Sequence, residues 1–174
     1  MTENVQIRRM VEDDLPMVLS WRNHPEVRCF MFTQHEISLA EHTQWFMRVN
    51  QDNTRHLLIV QEQGNPIGYV QFSNVVPGGA SDWGFYACPE AAKGSGRKLG
   101  VSALNYAFGQ LKLHKVCGQA IDINQVSIRF HERLGFKREA VLRDQKYFND
   151  QYQTLICFGL LAHEWQVYKQ GTQP

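Results

Sequence analysis

No apolar run in this chain is long enough to cross a bilayer, which takes about 20 residues of helix. The first residues, Met1-Thr2-Glu3-Asn4, carry neither the basic nor the apolar stretch of a secretory signal, so a cytoplasmic setting is expected. Cysteine is scarce. The four thiols at 29, 88, 117 and 157 are widely spaced and form no Cys-x-x-Cys pair. That spacing argues against a disulfide framework and for reduced, partly buried thiols. Seven histidines show no His-Glu-x-x-His or other ligand spacing, so no metal site is expected. Charge of one sign is lacking too: the net is +1, which argues against a general nucleic-acid or membrane binder. There is no repeat, low-complexity segment or linker. What is present is 174 residues, 43% of them apolar, enough for one domain with a full core.

The patterning predicts a mixed α/β order. Val5 to Met10 alternates as a strand. Asp13 or Asp14 is placed to cap a helix carrying Leu15, Val18, Leu19 and Trp21, which Pro25 stops or redirects. Ser38-Leu39-Ala40-Glu41 fits a capping box opening a second helix with Trp45, Phe46 and Val49 on its apolar side. Strands are expected at 56–61, 67–72 and 82–87, with turns at Gly64-Asn65-Pro66 and Pro77-Gly78-Gly79. A long helix to Leu113 follows, then a strand at 116–123, a helix at 124–134 ended by Gly135, and strands at 136–142 and 154–161. Residues 1–166 are expected to form the single domain and 167–174 a flexible tail.

The loop before the long helix is Pro89-Glu90-Ala91-Ala92-Lys93-Gly94-Ser95-Gly96-Arg97. Strand, short glycine loop and helix together offer free backbone N–H groups and the positive end of a helix dipole to a phosphate. Glycines at 94 and 96 let a pyrophosphate approach the backbone, and Lys93 and Arg97 add charge. It is not a Walker loop, since no Gly-Lys-Ser/Thr follows. It also lacks the third glycine of Gly-x-Gly-x-x-Gly, because position 99 is Leu. A phosphate-bearing cofactor of another kind is favoured.

A second segment, Asn124-Gln125-Val126-Ser127-Ile128-Arg129-Phe130-His131-Glu132-Arg133-Leu134-Gly135-Phe136, lies about thirty residues further on. In this order the two segments resemble the GCN5-related N-acetyltransferase (GNAT) superfamily over nearly the whole chain. The resemblance implies one mostly antiparallel mixed sheet of six to seven strands, flanked by about four helices and splayed between the fourth and fifth strands. It implies acetyl-CoA as co-substrate. The pantetheine arm would lie along Phe85, Tyr86 and Ala87, and the pyrophosphate on Lys93, Gly94, Ser95, Gly96 and Arg97. Asn124, with Phe130 and Arg133, would complete the cofactor contacts. Two departures stand out. Ala91 occupies a position where relatives often have Arg or Gln. His131 occupies the place where many use Tyr as general acid for the leaving thiolate, and imidazole can also donate a proton.

The stretch Trp21-Arg22-Asn23-His24-Pro25-Glu26-Val27-Arg28-Cys29-Phe30-Met31-Phe32, followed by Glu36-Ile37-Ser38-Leu39-Ala40-Glu41-His42, is similar to the acetyltransferases of pseudaminic acid biosynthesis. Those act on the 4-amine of a UDP-linked 4-amino-4,6-dideoxy-N-acetyl-altrosamine. The Trp-Arg-Asn piece alone is shared with ribosomal-protein N-terminal acetyltransferases. A UDP-sugar acceptor would find Arg22 and Arg28 suited to its phosphates, since the guanidinium fork matches phosphate oxygens. His42, Ser73, Asn74 and Tyr86 are candidates for the sugar, and Trp21, Phe30, Phe32 and Trp45 for stacking or for core packing.

Amide formation needs a fixed, polarised thioester and a deprotonated amine. One backbone donor at the carbonyl is typically worth about 3 kcal/mol of barrier. His131 and Tyr86 are the catalytic candidates, with Glu36, His42 or water to receive the amine proton. Cys88 offers a covalent route, but no His or Asp is paired with it in sequence. A peptide N-terminal acetyltransferase and an acyl-CoA-binding sensor without turnover remain alternatives, and a homodimer is compatible with the chain. The loop assignment makes a first prediction. Gly96→Asp puts a side chain and a negative charge against the pyrophosphate and should weaken acetyl-CoA binding by calorimetry tenfold or more, about 1.4 kcal/mol. Unchanged affinity removes the loop from the site.

Overall fold

The computed structural model describes residues 5–171. Seven strands form one sheet: β1 (Val5–Arg9), β2 (His56–Glu62), β3 (Asn65–Ser73), β4 (Ala80–Ala87), β5 (Lys115–Ile121), β6 (Lys137–Phe148) and β7 (Gln151–Leu161). Their order is β1-β2-β3-β4-β5-β7-β6. Every pairing is antiparallel except β4 with β5. Six α-helices surround the sheet: α1 (Leu15–Asn23), α2 (Pro25–Arg28), α3 (Leu39–Asn50), α4 (Ser95–Gly109), α5 (Gln125–Arg133) and α6 (Ala162–Gly171).

The sheet is covered on both faces, and the strands show it. In β2 the four consecutive residues Leu57, Leu58, Ile59 and Val60 are all buried. Leu58 and Val60 join Val70, Phe72, Trp83 and the apolar sides of α4, α5 and α6. Leu57 and Ile59 join Tyr69, Val18, Trp21, Phe46 and Val49 under α1 and α3. Trp21 is thus a core residue and not a wall of the site.

The helix count exceeds the sequence expectation for local reasons. As expected, Pro25 redirects the chain: α1 ends at Asn23, His24 before the proline takes an extended ψ of 134°, and Pro25 then starts α2 at a first-turn position, where its missing N–H costs nothing. The segment expected as a tail is helical through Gly171, while residues 172–174 lie outside the described residues. Fully buried Trp165 donates its indole N–H to Asn105 Oδ1 at 3.1 Å, and Tyr168 donates its hydroxyl to the Arg133 carbonyl at 2.8 Å. Two anchors three residues apart hold α6, too sparse a pattern to see in sequence. β6 runs past Leu142 because a register shift between Leu142 and Lys146, with Asp144 at φ 51°, lets polar residues continue the strand. Asp14 does cap, but at a short 3-10 turn: its carboxylate accepts from the Val11 N–H at 2.9 Å and from both Arg8 amines at 2.6 and 2.8 Å. Among the described residues no helix is long and apolar enough to cross a membrane.

Candidate active site

β4 and β5 hydrogen-bond only through Ala80–Asp82 and Lys115–Cys117. Beyond Asp82 and Cys117 the two strands part. β4 continues to pair with β3 as far as Ala87, so its other edge is left open towards the gap. A cleft of about 830 Å³ passes through this opening. Gly84, Phe85, Tyr86, Gly118, Asn124 and His131 line it at the gap, and Arg22, Phe30, Phe32, Thr33, His42 and Trp45 line it on the α1/α3 face.

The gap side is built by α4 and α5. Gly94 takes φ 96° immediately before α4, and Ser95 is buried beneath the turn. The N–H groups of Ser95 and Arg97 are used within the turn, at 3.1 Å to the Ala92 and Gly94 carbonyls. Those of Gly94 and Gly96 have no internal partner among the described residues. Lys93 and Arg97 are exposed beside them, whereas Lys98 is committed to Glu62. Phe130 lies between the loop and the gap, 4.6 Å from Phe85 between ring centroids. Asn124 caps α5, its side-chain oxygen accepting from the Ser127 N–H at 3.0 Å. Arg133 is exposed at the end of α5. These residues fit an acyl-CoA: an open strand edge for amides, a helix N-terminus with glycines for phosphate, and flanking cations.

His131 does not suit the acid role. It is 1% exposed, and both ring nitrogens are engaged. Nδ1 lies 2.8 Å from the Ser127 carbonyl, an acceptor only. Trp83 Nε1–H, a donor only, points at Nε2 from 3.1 Å. The ring is therefore the neutral tautomer with its proton on Nδ1, stacked 4.6 Å from Phe158. Burial lowers its pKa from 6.5 to about 4, opposed by the Ser127 carbonyl. A group with no proton on the nitrogen nearest the gap cannot protonate a thiolate there.

The acceptor side carries the charge. Arg22 donates from Nη2 to the Thr33 carbonyl at 3.0 Å, while its Nη1 is buried without a partner. Burial holds the guanidinium below the usual arginine range; the Tyr86 hydroxyl pulls the other way. His42 is 4% exposed, stacked 5.0 Å from Trp45, and its Nε2 is likewise unpartnered. Burial first, then Arg22, lowers its pKa, so it is neutral. Burial pushes the Tyr86 hydroxyl well above the ordinary tyrosine range, and its ring stacks 4.9 Å from Tyr69.

The other candidates lie off the cleft. Arg28 faces Glu36 at 3.7 Å, and that carboxylate is 76% exposed, so neither joins the site. The Ser73 carbonyl accepts from Ser81 Oγ at 2.6 Å, and Asn74 Nδ2 donates to Asp82 Oδ2 at 3.2 Å, outside the cleft lining. Burial and the Glu90 carboxylate, 3.2 Å from its sulfur, raise the Cys88 thiol, the opposite of an activated nucleophile. Sequence reasoning passed over Trp83, Gly118 and Gln71 as site residues. Only the parting of the strands brings them there.

A family model described as "Acetyltransferase (GNAT) domain" matches residues 4–137. The chain belongs to that family, and the reaction it catalyses is acetyl transfer from acetyl-CoA. Acetyltransferase PseH of Campylobacter jejuni (strain 81-176) is 27% identical over 123 residues, 71% of this chain and 76% of that protein. Spermidine N(1)-acetyltransferase of Vibrio cholerae is 26% identical over 168 residues, 95% of this chain and 97% of that protein. The crystal structure of the Vibrio cholerae spermidine N-acetyltransferase with CoA and spermine superposes with a TM-score of 0.84 at 24% identity, covering 93% of this chain and 98% of that one.

The His131 assignment has a stability consequence. With the folded pKa about 4 and the ordinary value 6.5, the unfolded chain takes up this proton first as pH falls. Stability is complete above about pH 6.5 and is lost down to about pH 4, on the order of 3 kcal/mol from this group. Urea unfolding of the His131→Phe variant should show a flatter acid limb than wild type. An equally steep limb contradicts the assignment.

Proposed function

We propose that the chain moves acetyl from acetyl-CoA to the 4-amine of a UDP-linked 4-amino-4,6-dideoxy sugar, by direct attack in a ternary complex. The observation that carries this reading is the buried, unpartnered Nη1 of Arg22 beside the unpartnered Nε2 of His42. A desolvated guanidinium with no carboxylate in contact with it, and only the Glu41 charge acting from further off, is stabilised by an incoming anion. A polyamine would need free carboxylates instead. Two carboxylates line the cleft among the described residues, and each already accepts a hydrogen bond, Glu41 from His35 at 3.0 Å and Asp82 from Asn74 at 3.2 Å, whereas Arg22 Nη1 is buried with none. The resemblance in residues 21–42 to the acetyltransferases of pseudaminic acid biosynthesis supports the same acceptor.

In this reading the free edge of β4 at Phe85, Tyr86 and Ala87 pairs with the amides of the donor and points backbone N–H groups at its carbonyl. The Lys93 to Arg97 loop holds the diphosphate, with Asn124, Phe130 and Arg133 completing the donor side. Arg22 takes acceptor phosphate by its bidentate face. Tyr86, held protonated, donates to the acceptor from the strand that also carries the donor edge. His42, held neutral, accepts the amine proton. Phe30, Phe32 and Trp45 wall the sugar and base. Holding amine and thioester together supplies proximity, often the larger share of the acceleration.

Arg22→Lys keeps the charge but loses the fork. Steady-state kinetics should show the KM for the UDP-amino sugar raised about tenfold or more, a loss near 1.4 kcal/mol, with the acetyl-CoA KM little changed. A fall in acetyl-CoA binding, or faster turnover of spermine or of an N-terminal peptide than of the amino sugar by wild type, contradicts the reading.

A further inference from the structure

The last hydrogen-bonded pair of β4 and β5 is Asp82 with Cys117. The next residues on the two strands are Trp83 and Gly118. The Trp83 indole reaches across β5 and donates to His131 on α5 at 3.1 Å. Gly118 lies beneath this contact. A Cβ there would stand 2.7 Å from Trp83 Nε1 and closer still to His131 Nε2, so only glycine admits the pair. The Trp83 ring is fixed from several sides, with Phe85 at 4.8 Å and Phe136 at 5.1 Å between centroids. His131 is fixed in turn by Ser127 and Phe158. The indole–imidazole bond thus ties β4 to α5 across β5 at the root of the gap, while further along the contact between the two elements is the apolar packing of Phe85 on Phe130.

We propose that Trp83 is a positioning residue for acetyl transfer: its bond to His131, admitted by Gly118, is a strut that sets how far β4 stands from β5 and so the width of the donor site. This rests on the donor lying in that gap. The strut explains why His131 is neutral, buried and doubly bonded in a position facing the site. It also gives the glycine of β5 a task that strand propensity would oppose.

The test combines a direct view of the bond with donor affinity. In 15N-labelled wild-type protein, a trans-hydrogen-bond coupling should connect Trp83 Nε1 with His131 Nε2, and the Trp83 indole proton should exchange slowly. Its absence overturns the proposal, whatever the variants do. Trp83→Phe keeps an aromatic ring and removes the donor. The folded variant should lose at least about tenfold in acetyl-CoA affinity by acceptor-free calorimetry, about 1.4 kcal/mol. The KM of the acceptor should move less than twofold. Gly118→Ala should lower donor affinity in the same direction. Donor affinity unchanged in a folded Trp83→Phe overturns the strut. Should that variant fail to fold, Gly118→Ala decides by the same criterion. Because the calorimetry uses no acceptor, a wrong acceptor does not affect it. Retained affinity in Gly96→Asp would instead show that the donor binds elsewhere.

Discussion

Parallel pairing of β4 and β5 stops after three residues on each strand, and everything else in the site depends on that. A central strand pair that remained zipped would satisfy its own backbone and leave nothing to bind. Once parted, β4 presents N–H and C=O groups from Trp83 to Tyr86 to the cleft, and its end at Ala87 reaches the surface. Water or a ligand must satisfy those groups, because buried backbone polar groups are not left unpaired at small cost. The thioester arm of acetyl-CoA carries amides of the right kind. In the proposed reading donor recognition comes mainly from backbone, and side chains are left to tune it.

The two faces of the sheet divide the work. Towards α4 and α5 the gap is walled by rings, Trp83, Phe85, Phe130 and His131, with the glycine loop at its mouth. Towards α1 and α3 it opens onto Arg22, His42 and Tyr86, whose polar ends are desolvated and, at Arg22 Nη1 and His42 Nε2, lack a partner. A fold shared with enzymes acting on quite different amines can select its acceptor on this second face alone. The relatives include both the Campylobacter jejuni PseH and a spermidine acetyltransferase, so overall similarity does not decide between acceptors. The proposal of an anionic acceptor rests on the buried Arg22 guanidinium.

Much of this was legible before the structure. The order of the strands followed from alternation and turn residues, and the glycine loop and the Asn124 to Phe136 segment pointed to the donor site. Ser38 does cap α3 by accepting from the Glu41 N–H, but the Glu41 side chain turns to His35 in place of closing the expected box. What escaped was whatever depends on contacts distant in sequence. α6 is held by Trp165 and Tyr168 against Asn105 and Arg133, partners far up the chain. Arg28 looked equivalent to Arg22 in a string of letters, yet α2 turns it towards Glu36 and away from the cleft. His131 looked like a proton donor because of its place in a motif. Its state is decided by Trp83, 48 residues away, which no local pattern reveals. Gly118 carries no local signal, because the Trp83 and His131 rings that require it come from β4 and α5.

The central claim is that donor and acceptor meet through the parted strands from opposite faces of one sheet. A crystal structure of the chain with CoA and a UDP-amino sugar bound together tests it most directly. The account predicts the CoA diphosphate on the backbone of Gly94 and Gly96, its amides paired with the free edge of β4, and the acceptor phosphates on Arg22 Nη1. CoA lying outside the gap, or acceptor phosphates held away from Arg22 on the opposite face, would contradict it.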